Sequence, residues 1–141
     1  MMSNNDIPTG GKRFGYFLSI LINFAMIYIA NNLLVWNVPY LTNDFIRCLW
    51  AVNLSFAVTI FMNFIFIFFD RKWFHSLMEA FGSIFSFLST YVFWQIFPLD
   101  INETWAYWVN IGLVVLLVLT ALAIISQVMH AIRQYRRTEL P

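Results

Sequence analysis

Four apolar runs, each longer than 20 residues, leave this chain few ways to fold: Phe14–Trp36, Phe45–Phe69, Trp73–Phe97 and Trp105–Ile132. About 20 apolar residues in an α-helix cross a hydrocarbon core of about 30 Å. Inside lipid, backbone N–H and C=O groups must be paired within their own segment, which selects helix. The strict alternation of a transmembrane strand is absent. The 141-residue chain is 61% hydrophobic and only 11% charged, with mean hydropathy +0.72. An ordinary soluble domain carries about 25% charged residues, and one this short leaves too much surface exposed to hide so many apolar side chains. The expected fold is therefore all-α, a polytopic membrane protein built as a four-transmembrane-helix antiparallel bundle. Residues 1–13 and 133–141 are expected to be short tails around one transmembrane domain, 14–132.

The breaks between runs have physical causes. Asn37–Asp44 is a polar turn in which Pro39 lacks a donor and stops helix. Asp70-Arg71-Lys72 is so short that the second and third spans must form an antiparallel hairpin. Pro98 closes the third span and opens an acidic loop, and Thr104 is a candidate N-cap for the fourth. Lys12 and Arg13 before an apolar run resemble a signal peptide. However, typical signal h-regions hold about 7–15 apolar residues, fewer than in Phe14–Trp36, and no Ala-x-Ala site follows. The run reads as an uncleaved first span.

Orientation follows from Lys and Arg, which favour cytoplasmic loops. Lys12, Arg13, Arg71, Lys72, Arg133, Arg136 and Arg137 share one side, and Arg47 alone lies on the other. Both termini are thus expected in the cytoplasm, in a multi-pass protein of the plasma (cytoplasmic) membrane. So strong a bias argues against dual insertion of the kind used by small multidrug transporters, which also place an acidic residue in a first span that has none here. Net charge is +1, so nothing points to nucleic acid, and a single cysteine, Cys48, excludes an internal disulfide or a Cys-pair centre.

The third span carries most of the polar chemistry. At 100° per residue, His75, Glu79, Gly82, Ser83, Ser86, Ser89 and Thr90 fall on one face, opposite Phe, Leu, Ile and Val. Such a stripe packs helices closely through small residues and hydroxyls, or it lines a path or cleft. Glu79 is the only carboxylate well inside a span, and a charge at mid-bilayer costs roughly 2.5–3.5 kcal/mol on insertion scales. Equal rise along antiparallel helices puts Asn63 at the depth of Glu79, with Asn23 and Gln127 comparable. A buried polar cluster of Asn23, Asn63, Glu79 and Gln127 is expected, with Ser19 and His75 nearby, serving as a hydrogen-bond knot or as an ion- or proton-responsive site. His75 and Glu79 have metal-ligand spacing, with His130 a third candidate, but a pair alone specifies no metal. An outer polar group of Asp44, Arg47, Asp100 and Glu103 is expected to orient the loops through an Asp44–Arg47 ion pair, with Asp100 in reach if the bundle closes.

No nucleotide loop, Gly-x-Ser-x-Gly elbow or His-Glu-x-x-His motif occurs, and neither a cofactor nor a catalytic set is expected. Asn102-Glu-Thr104 matches a glycosylation acceptor. Asn63-Phe64 followed by Arg71-Lys72-Trp73-Phe74 resembles the four-span GtrA-like proteins linked to lipid-linked sugar export. The aromatic-basic pair lies farther from Asn-Phe here than in that family, and the likeness implies no residue role. Three functions fit the composition: a structural or accessory subunit acting on a larger membrane complex or on itself through helix contacts, an oligomeric channel or transporter using the third span and Glu79, and an intramembrane lipid-modifying enzyme using His75 and Glu79.

Overall fold

The computed structural model describes residues 7–139 and holds four α-helices: α1 Gly10–Asn32, α2 Ile46–Phe68, α3 Lys72–Ile96 and α4 Glu103–Glu139. Each is long and apolar enough to cross a membrane. Residues 1–6 and 140–141 of the expected tails lie outside the described residues. The apolar runs located every helix, while local capping moved several ends. Thr9 caps α1, its hydroxyl accepting from Lys12 N at 3.4 Å, so the helix starts before the apolar run does. It stops at Asn32, where the chain unwinds through turns to a left-handed Asn37 (φ 52°). Asn102, not Thr104, caps α4: its Oδ1 accepts from Trp105 N at 2.9 Å. At the other end α4 continues past Ile132 to Glu139. Arg133, Arg136 and Arg137 are good helix formers and meet the negative end of the helix dipole. Its 37 residues span about 55 Å.

Consecutive helices are antiparallel neighbours. Tyr16 meets Phe66 near one end of α1–α2, and Asn31 meets Asn53 near the other. Phe66 stacks on His75 across the α2–α3 hairpin. Ser76 bonds Gln134, and Ser83 bonds Gln127, across α3–α4. Helices α1 and α4 share no backbone contact. The helices therefore form an open row in chain order rather than a bundle in which the first closes on the last. Antiparallel packing brings the starts of α1 and α3 and the ends of α2 and α4 together, and with them all seven Lys and Arg residues predicted to share a side. We call this the basic end and the opposite one the far end.

Half of the buried residues are small, namely Ala30, Cys48, Ala51, Ser76, Ala80 and Ala131; the others are Pro8, Phe45, Met62, Phe66, Pro98 and Leu117. Ala80 and Ala131 lie between the two Ser–Gln bonds of α3 and α4 and are 2% and 4% exposed. Small residues let helix backbones approach closely and bring hydrogen-bonding side chains within reach. Large apolar residues accordingly face outward, among them Phe14, Phe24, Phe61, Phe64, Leu119 and Leu122.

At the far end the two loops are stitched together. Thr42 N donates to Pro98 O at 2.9 Å, and Asp100 N donates to Tyr40 O at 2.8 Å, making an isolated antiparallel bridge between Leu41 and Leu99. Tyr40 (φ 67°) and Phe97 (φ 44°) hold left-handed conformations beside it, which cost of order 1–3 kcal/mol for such residues. This bridge replaces the expected ion pair as the tie between loops, since Arg47 and Asp44 are both exposed and no ion pair joins them.

Leu41 and Leu99 form a non-hydrogen-bonded antiparallel pair, whose Cα atoms lie about 4.5 Å apart, within the roughly 4.4–6.8 Å that a disulfide spans. In a Cys48→Ala background, Leu41→Cys with Leu99→Cys is expected to form a disulfide on mild oxidation, read as a reversible gel shift. No shift would mean that the two loops are not held together.

Candidate functional site

The densest polar arrangement lies at the basic end, around Asp70. Asp70 sits in the turn between α2 and α3, and its side chain is only 6% exposed. The Tyr16 hydroxyl of α1 donates to its Oδ2. His75 Nδ1, one turn into α3, lies 2.7 Å from its Oδ1. Lys12 Nζ stands 4.0 Å away and is 65% exposed, so it adds little beyond a partly screened attraction. On the other edge of the His75 ring, Nε2 lies 3.1 Å from Glu79 Oε1. The imidazole is stacked on Phe66, centroids 4.2 Å apart and planes 18° off parallel. A string Tyr16–Asp70–His75–Glu79 thus joins α1, the turn and α3.

This geometry fixes a hydrogen count. Both contacts of the ring are hydrogen bonds only if each gap holds one hydrogen, on the nitrogen or on the carboxyl. Asp70 and Glu79 lie on opposite nitrogens, so they do not converge on a common point. Among the described residues, no three His, Cys, Asp or Glu side chains are grouped to hold a metal. His130, the third candidate ligand, instead meets Gln134 Nε2 at 3.0 Å. The string borders an open cleft of about 370 Å³ lined by Lys12, Tyr16, Asp70, His75, Ser76 and Gln134, with Lys72 at its edge.

The expected inner cluster is not assembled by hydrogen bonds, since none joins any two of Asn23, Asn63, Glu79 and Gln127. Asn23 Nδ2 donates to Ser19 O at 2.8 Å, and Asn63 Nδ2 donates to Thr59 O at 2.8 Å. Each amide is thus satisfied by its own helix, four residues back. Gln127 accepts from Ser83 at 2.9 Å. Glu79 turns to His75 and is 47% exposed. Equal depth was therefore insufficient: a helix offers its own carbonyls to a short amide before a neighbour can.

The third-span stripe divides by direction. Ser83 faces α4, as does Ser76, which donates to Gln134 Oε1 at 3.0 Å. Gly82 faces α2, where a Cβ built on it would stand 2.7 Å from Met62 Sδ; its missing side chain makes room for that thioether. Thr90 donates back to Ser86 O at 2.9 Å, Ser86 is exposed and Ser89 half-buried. His75 and Glu79 belong to the Asp70 string. Two regularities of the sequence went unread. Ser76 and Ser83 are seven apart, and so are Gln127 and Gln134, so both pairs meet when the helices run antiparallel. Asp70, an acid beside Arg71 and Lys72 and five residues before His75, has the sequence surroundings of an ordinary turn residue.

In the outer group, Asp44, Arg47 and Glu103 are exposed. Asp100 contributes its backbone N–H to the Leu41–Leu99 bridge. Two other far-end pairs do form. Asn31 and Asn53 exchange bonds of 2.8 and 3.2 Å between α1 and α2. Trp94 Nε1 donates to Asn110 Oδ1 at 2.8 Å between α3 and α4. Comparison with family models, characterised proteins and solved structures finds no match to this chain.

Asp70→Ala strips an acceptor from both Tyr16 and His75 and is expected to destabilise by about 2–3 kcal/mol, the scale of hydrogen bonds to a buried charged group. Tyr16→Phe removes one of those bonds and should lose about half as much. In a double-mutant cycle read by denaturant unfolding in micelles, the two losses should fall short of additive by at least about 0.5 kcal/mol. Additive losses would mean that the contact is not formed.

Proposed function

We propose that the chain is a small integral membrane protein that works as an accessory or structural subunit, binding a partner through helix–helix contacts inside the membrane. The observation that carries this reading is the open row. Helices α1 and α4 share no backbone contact, and each keeps large apolar side chains outward, such as Leu21 and Ile22 on α1 and Leu119 and Leu122 on α4. The groups that would serve chemistry are engaged in tying the row together. Ser76 and Ser83 are bonded to α4, and both ring nitrogens of His75 face carboxylates, which argues against His75 as an acid–base group on lipid. The seven Lys and Arg residues at the basic end put that end in the cytoplasm by the positive-inside rule. Both termini then lie inside, and the plasma membrane is the natural home.

A photo-cross-linking residue at Ile22 or Leu122, activated in intact cells, is expected to trap a discrete protein adduct that co-purifies in mild detergent. Lipid adducts alone at both positions would overturn the accessory reading. Topology has its own check: an impermeant thiol reagent should label a cysteine placed at Glu103 in intact cells and one placed at Lys72 only after permeabilisation.

One observation favours a second reading, a proton- or cation-responsive conductor. Glu79 is a half-exposed carboxylate whose one hydrogen-bond partner among the described residues is His75. In this case liposomes containing the protein should pass protons or cations, and Glu79→Gln should lower the flux at least several-fold. Liposomes no leakier than empty ones would dismiss conduction.

A further inference from the structure

The seam between α3 and α4 has two sides at the basic end. The polar cleft around Asp70 opens on one. On the other, Trp73 and Leu77 of α3 face Ala131, Ile132, Tyr135 and Arg136 of α4 across an open groove of about 350 Å³. Its composition changes along its length. The deeper part is apolar: Ala131 is 4% exposed and so small that it leaves a trough, with Leu77 and Ile132 as walls. Toward the helix ends stand the rings of Trp73 and Tyr135, packed edge to face with centroids 5.3 Å apart. Arg136 closes the groove at that end.

We infer that this groove binds one anionic phospholipid, its acyl chain lying along Leu77 and Ile132 over Ala131 and its phosphate meeting the Arg136 guanidinium. The inference rests on the membrane insertion proposed above. An aqueous occupant is poorly matched to a trough with almost no polar wall, because water needs two to four polar partners. A lipid chain needs none and is the surrounding solvent. The head group is selected by charge. Arg136 lies among the basic residues of one end, with Lys72 and Arg133 close in sequence to the groove walls. A guanidinium pairs with phosphate through two parallel N–H donors. Tryptophan and tyrosine rings sit by preference at head-group level, and Trp73 and Tyr135 stand together at this end of the groove. Basic pockets between transmembrane helices on the cytoplasmic side suit anionic head groups for this reason. The zwitterionic head of phosphatidylcholine carries its own cation and so gains less from Arg136.

The test is native mass spectrometry of the full chain in mild detergent, titrated with dioleoyl-phosphatidylglycerol or dioleoyl-phosphatidylcholine. One phosphatidylglycerol should bind at least about fivefold more tightly than phosphatidylcholine, the scale of one surface Arg on an anionic lipid. Arg136→Gln should bring the two within about twofold. Arg137→Gln, whose neighbours His130, Arg133 and Gln134 lie around a different hollow, should keep the preference. Leu77→Trp, which fills the trough, should weaken both lipids. If that variant fails to fold, quenching of indole fluorescence by brominated-chain phosphatidylglycerol decides the same point: it should be strong in the wild type and fall in Trp73→Phe. Equal binding of the two lipids, a preference that survives Arg136→Gln, or displacement by millimolar inorganic phosphate alone would each overturn the inference. Carbonate extraction of the same membranes separates this failure from failure of the membrane reading, because a spanning protein stays in the pellet whichever lipid it prefers.

Discussion

One carboxylate in a very short turn holds three parts of the molecule in register. Asp70 receives the Tyr16 hydroxyl from α1 and faces His75 from α3, while the chain it belongs to ends α2. Without it, α1 would touch the rest of the row mainly along α2. With it, the start of α1 is fixed against the start of α3, although the two helices share no backbone packing. The carboxylate can sit there because it is supplied with donors at the point where the backbone leaves one helix for the next. Buried polar groups are tolerable only when paired, and here the pairing also sets geometry.

If the helices insert as proposed, the rest of the row follows the physics of helices among lipids. Burial drives little when the solvent is itself apolar, so what remains is close contact and hydrogen bonding. The α3–α4 seam uses both. Alanines 80 and 131 let the backbones approach, and the Ser76–Gln134 and Ser83–Gln127 bonds bracket them. Each such bond contributes only about 0.6 kcal/mol on average in a membrane. Their greater effect is on register, since sliding one helix by a turn would break both at once.

The sequence disclosed the helices more readily than their arrangement. Four apolar runs of the right length were enough to locate α1 to α4, because runs longer than 20 residues without alternation suit helix rather than strand. Helix ends were less legible: Thr9 and Asn102 decide them by single side-chain bonds that hydropathy does not register. The polar sites were partly legible. The polar residues of α3 do not make one surface: Ser76 and Ser83 look to α4, Gly82 to α2 and His75 to the turn. Asn23 and Asn63 were expected to reach across helices, yet a short amide four residues from a carbonyl of its own helix is satisfied at home. Asp70 was missed because a turn acid usually faces water, and nothing local reveals that Tyr16 will cover it.

The bridge between Leu41 and Leu99 has a consequence for biogenesis. The loop bearing Tyr40 and Leu41 leaves the ribosome well before Pro98 and Leu99, so the first hairpin forms with its far loop unpinned. Tyr40 has no reason to hold a left-handed conformation until α3 is in place and presents the Pro98 carbonyl and the Asp100 N–H. Far-end stitching is therefore a late step of assembly. A chain arrested after α2 would leave that loop loose, its Tyr40 carbonyl and Thr42 N–H without the partners that Asp100 and Pro98 supply in the finished protein.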